Sequence, residues 1–155
     1  MTVPVVQSGM LIRRPVDEVF QAFSEPGVTA WFWFTHGDHR ITPGARVIWT
    51  WGMYGVSTVV HVKAVERDRR ILIDWDVDSD PTEVEWLFEA RGAETWVQVF
   101  NRGFPDTDEG VARALDAAGG FALVLAGAKI WLEHALEPNF VVDRHPDRLA
   151  ADWRR

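Results

Sequence analysis

Three groups of side chains in this 155-residue chain have types and spacings that could do chemistry. The first is His36, Asp38 and His39, since imidazole and carboxylate suit zinc or iron. Their neighbours Thr35, Gly37 and Arg40 are ordinary loop residues, so a solvated polar loop is the preferred reading and no metal is expected. The second is the acidic run Asp74, Asp76, Asp78, Asp80, Glu83 and Glu85, which raises the thought of paired carboxylates flanking a glycosidic bond. Period 2 argues otherwise: these residues share the outer face of adjacent strands, a solvated sheet surface dispensable for folding and open to a basic protein partner. The third group is aromatic. Nine Trp and nine Phe accompany a single Tyr, and Trp33, Trp49, Trp51, Trp75, Trp86 and Phe121, with Leu125, can either pack a core or wall a pocket for a flat apolar ligand.

Single polar residues add two weak catalytic candidates, His61 and Asn101. His61 faces outward if Val60, Val62 and Ala64 face in, and a one-residue shift in register turns it inward as an acid or base. Asn101, Tyr54 and Thr58 are the polar groups available to converge inside. His134, beside Glu133, suits the surface near a helix C-terminus, where positive charge is favourable. Ser8, Ser24, Ser57 and Ser79 lack the Gly-x-Ser-x-Gly turn, and there is no phosphate-binding or dinucleotide fingerprint. No cofactor is expected.

The elements that must position these residues follow from periodicity. Residues 3–13 read as a strand, and Pro15 then opens a helix whose apolar stripe is Val16, Val19, Phe20 and Phe23. A second short helical turn is expected to carry Trp31, Phe32, Trp33 and Phe34. Residues 44–104 show period 2, with turn signals at residues 52–55, 68–70, 79–81 and 92–94, which predicts five consecutive antiparallel strands. Ile71, Ile73, Trp75 and Val77 alternate with Asp74, Asp76 and Asp78, and Val84, Trp86 and Phe88 alternate with Glu83, Glu85 and Glu89. Asp106 and Glu109 resemble a capping pair for a long helix to about residue 137, with a stripe at Phe121, Leu125, Ala128 and Leu132 and a stop at Pro138. Gly119-Gly120 inside it suggest a bend or a close backbone approach. The expected architecture is an α+β fold in which about six strands curl around a long C-terminal helix. Residues 1–140 form one domain, and residues 141–155 a polar tail with an exposed Trp153.

Composition excludes several classes of function. The complete lack of cysteine removes disulfides, thiolate catalysis and zinc fingers, and agrees with a reducing cytoplasm. Sixteen basic against twenty-three acidic residues, a net charge of -7, oppose binding to nucleic acid. No segment is expected to have the length and apolarity of a membrane span.

Local motifs extend this reading. The segment Ile12-Arg13-Arg14-Pro15-Val16-Asp17-Glu18-Val19-Phe20 leads into the first helix, followed by Ala30-Trp31-Phe32, by Arg69-Arg70-Ile71-Leu72-Ile73-Asp74-Trp75, and by Gly120-Phe121 with Lys129, Leu132 and Glu133. In this order they resemble the START-like, or SRPBCC, superfamily, whose helix-grip fold includes the birch pollen allergens. Within it they resemble the branch named after the activator of the large heat-shock chaperone ATPase. The resemblance spans about residues 4–138, with Phe121 in place of the usual Trp and Arg67-Asp68 in place of the usual Pro-Pro turn. It implies a cavity between sheet and helix but no single activity. Three functions follow as expectations. The first is binding of a small apolar or aromatic molecule, the second a cyclase- or dehydratase-type enzyme using the same cavity, and the third a chaperone-associated interaction module acting through the acidic face, as a monomer or a homodimer.

Overall fold

Curvature is built into the sheet by its register. In the computed structural model, which describes residues 4–153, seven antiparallel strands run in the order β1-β7-β6-β5-β4-β3-β2. They are β1 (Val6–Ile12), β2 (His36–Gly37), β3 (Arg46–Trp51), β4 (Val56–Glu66), β5 (Arg70–Trp75), β6 (Thr82–Arg91) and β7 (Glu94–Arg102). Val3, the expected start of the first strand, and Arg154 and Arg155 of the tail lie outside the described residues. The strand count is one more than expected, because β2 is a two-residue pairing with β3 and leaves no period-2 trace in the sequence. A register shift between Val62 and Ala64 in β4 bends the sheet and reverses the alternation. Beyond it Val65, and not Ala64, packs against the core.

Three helices accompany the sheet: α1 (Val16–Ser24), α2 (Pro26–Thr29) and the 27-residue α3 (Asp108–His134). Helix α2 begins at Pro26, earlier than expected, so the Trp31–Phe34 stretch is the turn that leaves it. Phe32, Trp33 and Phe34 are buried there, while Trp31 stays exposed and stacks on Trp131 at 4.5 Å. The cap of α3 is Thr107, whose Oγ1 accepts the Gly110 N–H at 3.0 Å, in place of the expected Asp106 and Glu109 pair. Ala135 ends the helix in a left-handed conformation three residues before Pro138.

At about 40 Å, α3 spans the sheet. Contrary to expectation, it is long and apolar enough to cross a membrane by length and composition. Its apolar residues are seven Ala together with Leu, Val, Ile, Phe and Trp. Its buried side chains Ala114, Phe121, Val124, Leu125 and Ala128 belong to the core beneath the sheet. A short charged clasp fixes its far end to β1. Lys129 Nζ donates to the Leu11 carbonyl at 2.8 Å, and Glu133 accepts both Lys129 at 2.6 Å and the Arg13 N–H at 2.9 Å. Burial pushes the Glu133 carboxyl upward, but the Arg13 N–H and Lys129 outweigh it and hold the group below the usual carboxylate range.

The tail departs from the expected polar, exposed segment. Residues Phe140–Arg144 form a fourth helix, α4, with Val142 buried, and Trp153 packs against the core beside Gly52. Three anchors hold it: Tyr54 donates its hydroxyl to the Val141 carbonyl, the Ala150 N–H bonds Met53 O at 2.7 Å, and Arg144 bonds Asp116. Burial pushes the Tyr54 hydroxyl above its ordinary value, so it remains a donor.

The outer sheet face is likewise not the solvated acidic surface expected. Lys63 pairs with Glu83 at 2.8 Å and Asp74 at 3.4 Å, Arg70 with Glu85 at 2.6 Å, and Arg102 with Glu83 and Glu85 at 2.7 and 3.1 Å. Each cation comes from a different strand, so the network crosses β4, β5, β6 and β7. Hydrogen bonds from Lys63 and Arg102 hold Glu83 below the usual carboxylate range. For Glu85 burial pushes upward, and the bonds from Arg70 and Arg102 outweigh it. Both carboxyls therefore titrate lower in the folded chain than in the unfolded one, and their stabilisation is complete above the ordinary carboxylate range and lost as pH falls through the folded-state value. Replacing Glu85 by Gln should cost about 1–2 kcal/mol at neutral pH by thermal unfolding. That difference from the parent should shrink as pH is lowered from about 5 to about 3. A face of independent solvated charges would show neither effect.

Candidate functional site

The concave side of the sheet is filled at one end and open at the other. Trp33 descends from the turn after α2 into the concavity and meets Trp49 at 5.1 Å, Trp75 at 5.6 Å, and Trp51, Trp86 and Phe121 at 6.0 Å. On one side of this hub, Trp49, Trp86 and Leu125, at 2%, 2% and 1% exposure, complete a closed core. On the other side a cavity of about 680 Å³ begins. Its size suits one small organic molecule.

Of the residues expected to line a pocket, Trp33, Trp51, Trp75 and Phe121 form the cavity wall, together with Phe104. Trp49, Trp86 and Leu125 stand behind it as packing. The opposite wall is α3, where Ala112, Ala117 and Gly120 leave the space that larger side chains would fill. The end wall is the tail, through Val141, Arg144 and His145. Gly119 and Gly120 owe their place to it: a Cβ on Gly119 would lie 2.8 Å from Arg144 Nη2, and one on Gly120 3.0 Å from Arg144 Nη1. The expected close backbone approach is the Arg144 guanidinium lying against these two glycines.

The two catalytic candidates separate. His61 is exposed on the outer face, with Asp74 as its partner in β5, while Val60 and Val62 on either side are fully buried. Asn101 lines the cavity and is buried. Tyr54 and Thr58 also reach the lining. The polar loop at His36, Asp38 and His39 lies elsewhere, and Asp38 there accepts the Ile48 N–H at 2.7 Å. Among the described residues no group of three or more His, Asp or Glu is placed to hold a metal.

Several lining residues were not anticipated. Asp76 was expected on the outer face by alternation, but β5 ends at Trp75 and Asp76 takes a positive φ of 60°, which breaks the period. It lines the cavity, and its carboxylate accepts the Thr58 hydroxyl at 3.2 Å. The turn-forming run of Asp and Ser at residues 76–80 is the signal that could have flagged it. Glu109, Arg113 and Asp116 also line the cavity, at spacings that place them on one helix face.

A curled antiparallel sheet closed over a cavity by a long C-terminal helix is the helix-grip architecture of START-like, or SRPBCC, proteins. Residues 13–127 match the family described as Activator of Hsp90 ATPase homolog 1-like protein, and the chain belongs to that family. Among solved structures, protein SSP2350 from Staphylococcus saprophyticus superposes with a TM-score of 0.76 at 23% identity, covering 86% of this chain and 95% of that one. The Aha1 dimer from Colwellia psychrerythraea gives 0.72 at 14% identity, over 84% of this chain and 97% of that one. The di-domain ARO/CYC protein BexL from the BE-7585A biosynthetic pathway gives 0.71 at 19% identity, over 88% of this chain and 48% of that one. These likenesses concern the fold. A comparison with curated protein sequences gives no match.

The glycines of α3 supply a test of the wall. A Cβ on Gly110 would lie 1.8 Å from the Pro105 carbonyl oxygen, a backbone atom, whereas at Gly119 and Gly120 it meets only the movable end of Arg144. Gly110→Ala should destabilise the fold by about 1–3 kcal/mol. Gly119→Ala with Gly120→Ala should leave the melting temperature unchanged or raised, since Ala favours helix by about 1 kcal/mol per site. In that double variant the tail should be cut faster by protease, as Arg144 loses its seat.

Proposed function

We propose that this protein binds one small apolar or aromatic molecule in the cavity between the sheet and α3. The observation that carries the reading is the division of the aromatic set. Trp49 and Trp86 already complete the core, yet Trp33, Trp51, Trp75 and Phe121 present ring surface to about 680 Å³ of open space. Large rings facing a space they do not fill favour flat ligands, which stack on them. Asn101, Thr58 and Thr82 add the few convergent polar groups that orient a ligand in such pockets.

Two other readings receive less support. A cyclase- or dehydratase-type reaction loses one of its two candidates, His61, whose ring is on the far side of the sheet from the cavity, and keeps Asn101, which lines it. Docking of a basic protein on the acidic face meets carboxylates already paired with Lys63, Arg70 and Arg102. A homodimer would agree with the dimeric Aha1 structure from Colwellia psychrerythraea. The cavity is complete within one chain.

A neutral polycyclic aromatic alcohol such as 1-pyrenemethanol should quench Trp fluorescence and raise the melting temperature, by about 2.7 kcal/mol of added stability at a hundredfold excess over Kd. Trp75→Ala should weaken binding about tenfold. Trp49→Ala should cost about 3–5 kcal/mol of stability and leave the affinity of the remaining folded protein nearly unchanged. If a panel of flat apolar molecules produces neither quenching nor stabilisation, the cavity is not a ligand site.

A further inference from the structure

The polar groups at the cavity differ in how far the protein has already satisfied them. Asn101 is 4% exposed, and its amide nitrogen donates to Thr82 Oγ1 at 3.1 Å and to the Glu83 carbonyl at 2.9 Å. A carbonyl only accepts, so the nitrogen must face it and the orientation of the amide is settled by chemistry. Both N–H groups are thereby used. The side-chain oxygen has no hydrogen-bond partner among the described residues, leaving an open acceptor on a buried residue of the cavity wall. Thr82 is the cross-strand partner of Trp75, and Asp76 follows Trp75 directly. Asn101, Thr82, Trp75 and Asp76 therefore make one continuous stretch of wall.

Charge on that wall is uneven. Asp76 accepts the Thr58 hydroxyl and makes no ion pair among the described residues. Glu109 makes none either, though the N-terminus of α3 complements its charge, so Asp76 is the uncompensated carboxylate. Of the two arginines of the lining, Arg144 is paired with a carboxylate, and Arg113 is held by a carbonyl and a ring. Arg144 donates to the carbonyl and carboxylate of Asp116 at 3.1 and 3.2 Å. Arg113 donates to the Asp80 carbonyl at 3.1 Å and lies over Phe104 at 5.6 Å. Beside Asp76, the near-parallel rings of Trp33 and Trp75 stand 5.6 Å apart at 19°, with Trp51 and Phe121 tilted around them. Aromatic faces are electron-rich and attract cations, Trp most strongly.

An unpaired carboxylate, an unpartnered acceptor on a buried residue and several Trp rings favour the same sign of charge. We propose that the ligand is an organic cation, an amine or quaternary ammonium carrying a flat or alkyl apolar body, with its positive end beside Asp76 and the Trp rings. An ammonium N–H would also satisfy the Asn101 oxygen. This rests on the cavity being a ligand site, and it narrows that site to one class of molecule.

Three naphthalene compounds of nearly equal size separate the possibilities: naphthylmethyl-trimethylammonium, its neutral isostere with carbon in place of nitrogen, and naphthylacetate. Titrated by Trp fluorescence and calorimetry, the cation should bind at least tenfold more tightly than the neutral isostere, and the anion least of all. In Asp76→Asn the cation's advantage should fall severalfold while the neutral affinity stays unchanged. Asn is well tolerated at positive φ, so this variant keeps the local backbone. Equal binding of cation and isostere, or a cation preference untouched in Asp76→Asn, overturns the cation assignment and leaves the ligand site standing. No binding by any of the three overturns both.

Discussion

The structure depends on how a curled sheet fills its own concavity. A single long helix, rich in Ala and Gly, is too slender to do so, and Trp33 completes the contact by inserting between sheet and helix from a short turn. A ring of that size removes roughly 150–250 Å² from water, about 4–6 kcal/mol of favourable transfer. Its position divides the interior. Toward Trp49, Trp86 and Leu125 the rings close upon one another, and toward Trp51 and Trp75 they leave the cavity open. Core and cavity are thus two sides of one packing decision, which is why cavity wall and core are drawn from the same residue type.

The outer face answers a different problem. A sheet carrying Asp74, Glu83 and Glu85 on neighbouring strands would repel itself, and the chain places Lys63, Arg70 and Arg102 among them. These pairs join different strands, and Lys63 to Glu83 reaches across β5 from β4 to β6, so the charges help specify how the strands lie together. The Lys129 and Glu133 clasp does the same for helix and sheet, holding the C-terminal half of α3 to β1.

Legibility in the sequence followed the range of the interaction. The alternation of Ile71, Ile73 and Trp75 and the stripe of Phe121, Leu125 and Ala128 are local patterns, and both faces stand where periodicity puts them. His61 falls on the outer face by the same rule. Asp76 escaped because its orientation depends on a single left-handed residue, and nothing in the spacing records a positive φ. The ion pairs escaped because charges are visible in a sequence while their partners require the register of four strands. The tail escaped for a related reason: it is short and polar in composition, and its anchors, Tyr54 on Val141, Gly52 beside Trp153 and α3 beneath α4, are distant in sequence.

That tail lies outside residues 13–127, the part of the chain that carries the family pattern, yet Val141, Arg144 and His145 close one end of the cavity. The scaffold and part of its chamber are therefore encoded in separable stretches of chain. A lineage can rewrite a dozen residues at its C-terminus, and so reshape what the chamber admits, while leaving the sheet and the Trp33 hub untouched. Novelty in such a protein is inexpensive, because it is added at the door and not at the foundation.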